Sequence, residues 1–282
     1  MKYLSIFLSI AAIFMLNLNC SYAQAQDKQP IQIKLYAIDC GRIDVSNFAG
    51  FSDTGDYDNK SIQLADPCFL IVHPKGTLLW DTGLSDSLVK KPETVDLYHF
   101  TKTTTLEENL KKINLKPEEI KYVSVSHSHF DHMSGLDQFS HSTWILQKKE
   151  LAYAKTHPNP FVIDASTLTG WKTAHKIMID GDYDVFSDGT VQILSTPGHT
   201  PGHQSLMIKL PQTGVIIISG DEFHQRSSFE PLRVPAFNTS RADTMASADR
   251  IKGLMKNKNA HIIVQHDMQD FEELPKFPNY LN

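Results

Sequence analysis

Three histidines and an aspartate fall within six consecutive positions of this chain. The segment 124–135 reads SVSHSHFDHMSG, and it contains His127, His129, Asp131 and His132. The chain has 13 histidines among 282 residues, so three in six positions is far above the background density. Alternate residues of an extended segment point to the same side, so His127 and His129 can bind one ion together. Asp131 and His132 lie beyond a turn, where they can bind a second ion nearby.

Three further residues with metal-binding side chains each follow the end of a predicted strand. They are His199, Asp221 and His266. Imidazole and carboxylate ligands together suit Zn²⁺, with Mn²⁺, Fe and Co²⁺ as the lesser candidates. Two such ions close together can share one hydroxide, polarise a carbonyl and stabilise a leaving oxygen. The five histidines and two aspartates therefore predict a hydrolytic centre with two divalent metal ions.

Other histidines of the chain are interpreted as structural residues rather than as metal ligands. His203 lies four residues after His199 and is interpreted as a supporting residue rather than a ligand. Five more are interpreted as surface or core residues, and they are His73, His141, His157, His175 and His261.

The first 25 residues have the composition of an export signal. Lys2 gives a positive start, residues 4–18 are almost wholly apolar, and the triplet AQA at 23–25 provides the small residues of a cleavage site. The apolar run is shorter than the roughly 20 residues that a membrane span needs. A lipoprotein site at Cys20 is disfavoured, because NLN at 17–19 lacks the small residues that such sites use. We expect cleavage of residues 1–25, a periplasmic or secreted protein without stable membrane insertion, and one domain over residues 26–282.

The composition fits a folded domain and makes some partners improbable. Hydrophobic residues make up 41% of the chain, which is typical of a filled core rather than of disorder. No run of Lys and Arg is interleaved with aromatic residues, so a nucleic-acid partner is not expected. Cys40 and Cys68 remain after signal removal, and in an oxidising compartment they form either a disulfide or two buried thiols. A homodimer is a candidate for its assembly.

Short β-rich runs alternate with helical runs along the rest of the chain. Residues 68–72 and 77–80 flank a PKG turn and predict a hairpin. Residues 105–113 predict an amphipathic helix with a capping box formed by Thr105 and Glu108. Further strands are predicted at 31–35, 121–126, 143–146, 190–194, 204–210, 215–219 and 261–265, and further helices at 148–156 and 240–256. This alternation predicts a layered α/β fold.

The order of the metal-binding residues resembles that of the metallo-β-lactamase superfamily. HSHFDH at 127–132 is followed by His199, Asp221 and His266, and LWDTG at 79–83 resembles the early strand and turn of that superfamily. The resemblance covers nearly the whole chain after the signal. It implies an α/β domain folded as a four-layer αββα sandwich, with the metal centre at one edge of the two sheets.

The resemblance also divides the seven ligands between the two ions. One ion is held by three histidines, the other by an aspartate and two histidines, and a further aspartate bridges both. In this order the residues are His127, His129 and His199, then Asp131, His132 and His266, then Asp221.

Two features separate the functions that this superfamily performs. Zinc β-lactamases typically lack a bridging aspartate at the place of Asp221, whereas hydrolases of esters, thioesters and phosphodiesters usually have one. The segments DGDY at 180–183, STPGHTPGHQS at 195–205 and QHD at 265–267 are similar to those of N-acyl-homoserine lactone lactonases. The resemblance therefore implies a small acyl lactone as substrate, an N-acyl homoserine as product and a role in quorum quenching.

One position departs from the lactonase pattern. Those lactonases commonly carry a tyrosine three residues after the bridging aspartate, where it donates a hydrogen bond to the substrate carbonyl. In this chain the position holds His224. The resemblance implies that His224 takes over the contact with the oxyanion, and that Asp131 relays a proton to the leaving ring oxygen.

Alternative functions remain open. One is another lactone, ester or thioester hydrolase of the same fold, and a less favoured one is a β-lactamase, because Asp221 is present. A metal-binding sensor without enzymatic activity is disfavoured by the seven ligands around an open site.

An acyl tail needs an apolar groove. Five aromatic residues are candidates for its lining, and they are Phe48, Phe51, Trp171, Phe229 and Phe237.

Overall fold

Two β-sheets stacked face to face form the centre of the fold. The structure is a computed structural model, and it describes residues 31–157, 159 and 161–282. The predicted signal, residues 1–25, lies outside the described residues. Residues 31–282 form one compact unit. Among the helices described, none is long and apolar enough to cross a membrane.

The first sheet contains eight strands from the N-terminal two thirds of the chain. They are β1 (Lys34–Val45), β2 (Ile62–His73), β3 (Gly76–Trp80), β4 (Glu93–Val95), β5 (Tyr98–Thr101), β6 (Tyr122–Ser124), β7 (Thr143–Gln147) and β8 (His175–Ile179). Their spatial order is β4-β5-β1-β2-β3-β6-β7-β8. The strands from β4 to β3 in this order pair antiparallel, whereas β3, β6, β7 and β8 pair parallel.

The second sheet contains five strands in the order β13-β12-β11-β10-β9. Their bounds are β9 (Tyr183–Asp184), β10 (Val191–Ser195), β11 (Gln204–Leu210), β12 (Gly214–Ile218) and β13 (Ala260–Ile263). The α-helices are α1 (Leu106–Lys111), α2 (Phe130–Met133), α3 (Lys148–Thr156), α4 (Arg241–Lys258) and α5 (Met268–Glu273).

Apolar side chains fill the space between the sheets. Phe69 and Trp80 of the first sheet belong to the same buried cluster as Ile193 and Ile218 of the second. All four are fully buried, and each such side chain contributes about 1.5–3 kcal/mol by its removal from water.

Helices cover the outer faces of both sheets. Leu110 of α1 and Leu151 of α3 pack in the buried cluster on the outer face of the first sheet. Ile251 of α4 packs in the corresponding cluster on the second sheet. The layers are therefore helix, sheet, sheet and helix, and the predicted four-layer α/β sandwich is confirmed.

Several predicted elements agree with the structure in detail. The hairpin pairs Phe69 with Trp80 across the predicted turn. The helix predicted at 148–156 and the strand predicted at 204–210 have the observed bounds. At α1, Thr105 accepts a hydrogen bond from the Glu108 N–H, and Glu108 accepts one from the Thr105 N–H, so the capping box is present.

Other strands differ from the prediction at their ends. β1 begins at Lys34 and is much longer than predicted. β6 ends at Ser124, two residues earlier than predicted, and β13 likewise ends at Ile263. The physical reason is that main-chain amides just past the strand ends bond to side chains instead of the sheet. The Ser126 N–H donates to Asp81, the Val264 N–H to Asp270 and the Gln265 N–H to Ser219. The loops that carry the ligands therefore begin earlier than the sequence pattern indicates.

Cys40 of β1 and Cys68 of β2 form a disulfide, with their Cα atoms 5.8 Å apart. This resolves the alternative that the sequence leaves open. Both residues are fully buried beside the outer helical layer of the first sheet.

Replacement of both cysteines by alanine is expected to lower the free energy of unfolding by about 2–4 kcal/mol, because a cross-link restricts the unfolded chain. Denaturant melts of the variant measure this loss. Wild-type protein in reductant is the control and should match the variant. Equal melting midpoints for the oxidised wild type and the variant would contradict a stabilising role of the disulfide.

Candidate metal centre and active site

The seven predicted ligands lie together at one edge of the two sheets. β10, β12 and β13 run in the same direction, so the loops that follow them open at the same edge. These loops carry His199, Asp221 and His266. The segment after β6 and the single turn of α2 carry the other four, which are His127, His129, Asp131 and His132.

The ligand atoms form two groups, and within each group they lie within 4.8 Å of one another. The first group is His127, His129, His199 and Asp221, and the second group is Asp131, His132 and His266. The six residues other than Asp221 divide as the family resemblance implies, and Asp221, which the resemblance implies as the bridge, lies with the first group.

Three ring nitrogens of the first group converge on a common position. His127 Nε2 is 2.8 Å from His129 Nδ1 and 3.1 Å from His199 Nε2. His129 Nδ1 and His199 Nε2 are 3.0 Å apart. Nitrogens bound at about 2.0–2.1 Å around one tetrahedral Zn²⁺ lie about 3.3 Å from one another. One divalent ion therefore fits between the three nitrogens after small outward shifts of the rings.

Each oxygen of Asp221 faces one group. Oδ2 is 3.3 Å from His199 Nε2 and 3.6 Å from His127 Nε2. Oδ1 is 3.1 Å from His132 Nε2 and 3.0 Å from His266 Nε2. Oδ1 is buried and faces these two rings, and a buried carboxylate oxygen is costly unless cationic groups, either protonated rings or a metal ion, pair with it. The arrangement fits a carboxylate that bridges two cations.

Asp131 is the most exposed ligand of the second group. Its Oδ2 is 3.7 Å from His132 Nε2 and 3.8 Å from His266 Nε2. Its side chain is 14% exposed, whereas the two imidazoles are at most 1% exposed. Asp131 is therefore the ligand of this group best placed to exchange protons with water or with a bound substrate.

The other nitrogens of the rings have hydrogen-bond partners of their own. His132 Nδ1 donates to Asp81 Oδ2 at 2.9 Å, and His199 Nδ1 donates to Asn238 Oδ1 at 2.9 Å. His266 Nδ1 donates to a main-chain carbonyl of β2 at 2.7 Å. Such partners fix the orientation of a metal-binding ring and raise its basicity.

Sequence reasoning does not identify Asp81 and Asn238 as site residues. Asp81 belongs to the LWDTG segment, whose resemblance to the superfamily does not by itself indicate a role for this residue. It also accepts a hydrogen bond from Gln265 Nε2 at 2.6 Å, so it joins two of the ligand loops. The motif is the signal that could have found Asp81, whereas no pattern marks Asn238.

His203 supports the centre without belonging to either group. Its Nε2 accepts a hydrogen bond from the Asp221 N–H at 2.8 Å, and its Nδ1 donates to the Thr196 carbonyl at 2.8 Å. The ring therefore holds the main chain at Asp221 in place. The interpretation of His203 as a supporting residue is confirmed.

Burial keeps the three histidines of the first group neutral. Removal from water lowers the pKa of His127 and His199 well below the ordinary value, and it lowers the pKa of His129 to about 4. The neutral imidazole is the form that binds a metal ion. These rings therefore carry no extra proton near neutral pH that a metal ion would have to displace.

The histidines of the second group differ in charge. Burial acts to lower their pKa, but the neighbouring carboxylates, with Asp221 first, raise the pKa of His132 well above the ordinary value and that of His266 to about 9. Burial acts to raise the pKa of Asp221, but His132 and His266 hold it well below its usual range. An ionised carboxylate thus faces two protonated rings, and a cation that binds here displaces their protons.

His224 lies against both Asp221 and the aromatic wall of a cavity. Its Nε2 is 3.1 Å from Asp221 Oδ2, and its ring packs edge to face with Phe51, with the ring centroids 4.9 Å apart. The side chain is buried and lines the cavity beside the metal-binding groups. The structure therefore places His224 where a substrate bound at the centre can reach it.

An open cavity of about 300 Å³ adjoins both groups. Ligands from each group form part of its lining, together with apolar and aromatic side chains. The apolar and aromatic residues are Ile43, Phe51, Leu64, Tyr98, Phe100, Phe130, Tyr153, Phe161 and Phe237. Phe51 and Phe237 are among the five candidates for the groove, and most of the others come from β5, α2 and the segment after α3.

The other three candidates do not line this cavity; they are Phe48, Trp171 and Phe229. Phe48 is buried and stacks on Phe51, with the ring centroids 4.0 Å apart. Trp171 packs in the helical layer outside the first sheet. Phe229 packs in the cluster between α4 and the second sheet.

The profile of the metallo-beta-lactamase superfamily matches residues 64–266, which is more than half of the chain and includes all seven ligands. The chain belongs to the metallo-β-lactamase superfamily. The resemblance inferred from the order of the ligands is confirmed.

Curated relatives within the superfamily are similar over most of their length. N-acyl homoserine lactonase AttM of Azorhizobium caulinodans is 29% identical over 229 residues, which cover 76% of this chain and 86% of the relative. N-acyl homoserine lactonase AiiA of Bacillus thuringiensis subsp. kurstaki is 30% identical over 258 residues, which cover 88% of this chain and 98% of the relative.

Solved structures of the superfamily share the fold. A quorum-quenching N-acyl homoserine lactone hydrolase is 29% identical with a TM-score of 0.77, over 90% of this chain and 99% of that one. An N-acyl homoserine lactone hydrolase with the product N-hexanoyl-L-homoserine bound at its catalytic metal centre is 28% identical with a TM-score of 0.76, over 90% of this chain and 100% of that one.

Proposed function

We propose that this protein is a metal-dependent hydrolase that opens the lactone ring of N-acyl-homoserine lactones. The observation that carries the proposal is the position of Asp221, which directs one carboxylate oxygen at each of two histidine-rich groups beside an apolar cavity. The similar proteins named as N-acyl homoserine lactonases, which this chain matches over most of its length, support the choice of substrate.

The donor set supports two divalent ions, for which we propose zinc. Five imidazoles and two carboxylates are ligands that Zn²⁺ prefers, and the two groups offer separate positions. When bound, two such ions acidify a water molecule and polarise the carbonyl of the substrate. The residues that would hold them are those of the first and second groups, with Asp221 between them.

The side chains of the chain itself then orient the substrate and move protons. Water adds to the lactone carbonyl carbon, the bond from that carbon to the ring oxygen breaks, and the ring oxygen takes up a proton. His224 donates a hydrogen bond to the carbonyl oxygen as negative charge develops on it, and Asp131 passes the proton to the ring oxygen. The aromatic wall, including Phe51 and Phe237, holds the acyl tail away from water.

Mass spectrometry of the product tests the proposal. The purified protein loaded with zinc should convert N-hexanoyl-homoserine lactone into a product that is heavier by one water molecule. Acidification should close the ring again and restore the original mass. An unchanged substrate, or a product cleaved at the amide bond instead of the ring, would rule out lactone opening.

Replacement of His224 by alanine should lower kcat by about ten- to a hundredfold, with metal content unchanged. A donor to an oxyanion is worth about a hundred- to a thousandfold in rate where it acts alone, and metal ions would share the charge here. His224→Tyr, which introduces the residue common in the lactonases, should recover part of the loss. Steady-state kinetics and elemental analysis of the three proteins provide the comparison. Wild-type kcat/KM in His224→Ala with full metal loading would show that His224 does not contact the oxyanion.

We also propose that residues 1–25 direct export and are then removed. The buried Cys40–Cys68 disulfide supports this, because disulfides persist in oxidising compartments outside the cytoplasm. Fractionation of the producing cells with N-terminal sequencing tests the proposal, and the expected N-terminus is Gln26. An intact N-terminus on protein from the cytoplasm would contradict export.

A further inference from the structure

Glu150 is a buried acid that joins two separate loops. It lies in the first turn of α3, and its carboxylate accepts four hydrogen bonds. Oε1 accepts from the Ser128 N–H at 2.8 Å and from the Ser128 hydroxyl at 2.6 Å. Oε2 accepts from the Thr200 hydroxyl at 2.7 Å and from the Gly202 N–H at 3.0 Å. Each oxygen therefore serves one loop.

These loops carry the three histidines of the first group. Ser128 lies between His127 and His129, and Thr200 directly follows His199. The loop with Ser128 leaves the first sheet after β6, whereas the loop with Thr200 connects β10 and β11 of the second sheet. One carboxylate thus connects metal-binding segments from both sheets.

The second loop packs directly on α3. A Cβ atom at Gly202 would collide with the main chain and the side chain of Glu150, so glycine is required for this approach. On its other side, the same loop packs on the start of α4, because a Cβ atom at Gly198 would collide with Thr244. Little movement of His199 is possible while both contacts are in place.

Burial of a carboxylate is unfavourable unless its oxygens are hydrogen-bonded. Burial raises the pKa of Glu150, and the hydrogen bonds from Ser128 and Thr200 oppose that rise. The strand ends beside these loops are joined independently, because the Gln204 side chain donates to the Val125 carbonyl at 2.7 Å. The loops would therefore stay attached without Glu150, but their outer parts, which carry His129 and His199, would lose a shared anchor.

We propose that Glu150 is a positioning residue that fixes the separation of His129 and His199 and thereby sets the metal affinity of the first group. The proposal rests on the metal centre proposed above. Glu150 touches neither the ion position nor the cavity; it acts through the main chain and hydroxyl groups of the ligand loops.

Glu150→Gln is the primary test. The amide nitrogen replaces one carboxylate oxygen and cannot accept the hydrogen bonds that this oxygen receives from its loop. Loss of a group that orients metal ligands typically costs 10–100-fold in metal affinity. We expect a loss of about this size at the first group and little change at the second, measured by competition with a chromogenic chelator. The absorption bands of the Co²⁺-substituted protein should shift, since they report ligand geometry directly.

Two further variants separate positioning from a general loss of stability. Thr200→Ala removes one donor to Oε2 and should weaken binding in the same direction by a smaller factor. Asp137→Asn is the matched control: Asp137 also joins two segments, accepting from the Gly170 N–H at 2.6 Å and the Thr169 hydroxyl at 2.7 Å, and it belongs to neither metal-binding group. It should lower the melting temperature and leave metal affinity and Co²⁺ spectrum unchanged.

Unchanged affinity and Co²⁺ spectrum in Glu150→Gln would overturn the proposal. If Glu150→Gln does not fold, the same unchanged result in Thr200→Ala overturns it. Because metal binding is measured without substrate, a wild type that binds two ions but opens no lactone refutes the proposed activity alone. A wild type that binds no ion at the first group refutes both proposals.

Discussion

Asp221→Asn is expected to lower kcat/KM by about a thousandfold while the protein stays folded. The carboxylate is the only predicted ligand with an oxygen towards each group, so the amide removes the negative charge that both ions would share. A single charged or polar group aimed at the reacting atoms is worth about a hundred- to a thousandfold in rate, and a bridging ligand also holds the ions at their separation. The main-chain bond from Asp221 to His203 is unaffected, so the loop keeps its support.

Glu222→Gln is the matched control for this variant. Glu222 is the next residue, it is equally buried, and neither of its oxygens has a hydrogen-bond partner among the described residues. Burial raises the pKa of Glu222 well above its ordinary value, so the uncharged glutamine suits the same buried position. Its kcat/KM should stay close to that of the wild type. Near-normal turnover in Asp221→Asn, with two ions bound, would show that Asp221 is not the bridge.

Removal of the metal ions is expected to abolish activity completely and to lower the stability of the fold. The ligands are buried and face one another, so bound ions would join segments of both sheets through these side chains. Each ion present at a hundred times its dissociation constant adds about 2.7 kcal/mol to the free energy of unfolding. Chelation followed by thermal melting measures the second effect.

Addition of zinc to the chelated protein gives the stoichiometry. Activity should return in full with two equivalents per chain. His266→Ala, which removes one ligand of the second group, should bind one ion tightly, because the first group is intact. Saturation of the wild type at one ion, with His266 dispensable for activity, would contradict a centre of two metals.

The sequence predicts the ligands well because their arrangement depends on local geometry. His127, His129 and His132 lie within one segment, whose conformation follows from a strand end and a single helical turn. His199 and His266 are recognisable because they follow strands that reach the same edge of the fold.

Other parts of the site depend on contacts between distant residues and are not predictable from local pattern. Phe48 and Phe51 lie in one loop, yet only Phe51 reaches the cavity, because Phe48 packs beneath it. Glu150 resembles any acid in the first turn of a helix, where negative charge is favoured in general. Its partner Thr200 is 50 residues away, and only the packing of two sheets brings them together.

Comparison of substrates tests the central claim most directly. The zinc-loaded protein is assayed with N-hexanoyl-homoserine lactone, a simple aliphatic lactone, a thioester and a cephalosporin under the same conditions, and kcat/KM is determined for each. The structure predicts the highest value for the acyl-homoserine lactone, because its ring carbonyl can lie at the metal centre while its acyl tail contacts the aromatic wall with Phe51 and Phe237. A higher kcat/KM for the thioester or the cephalosporin, or no hydrolysis of the acyl-homoserine lactone, would contradict the proposed function.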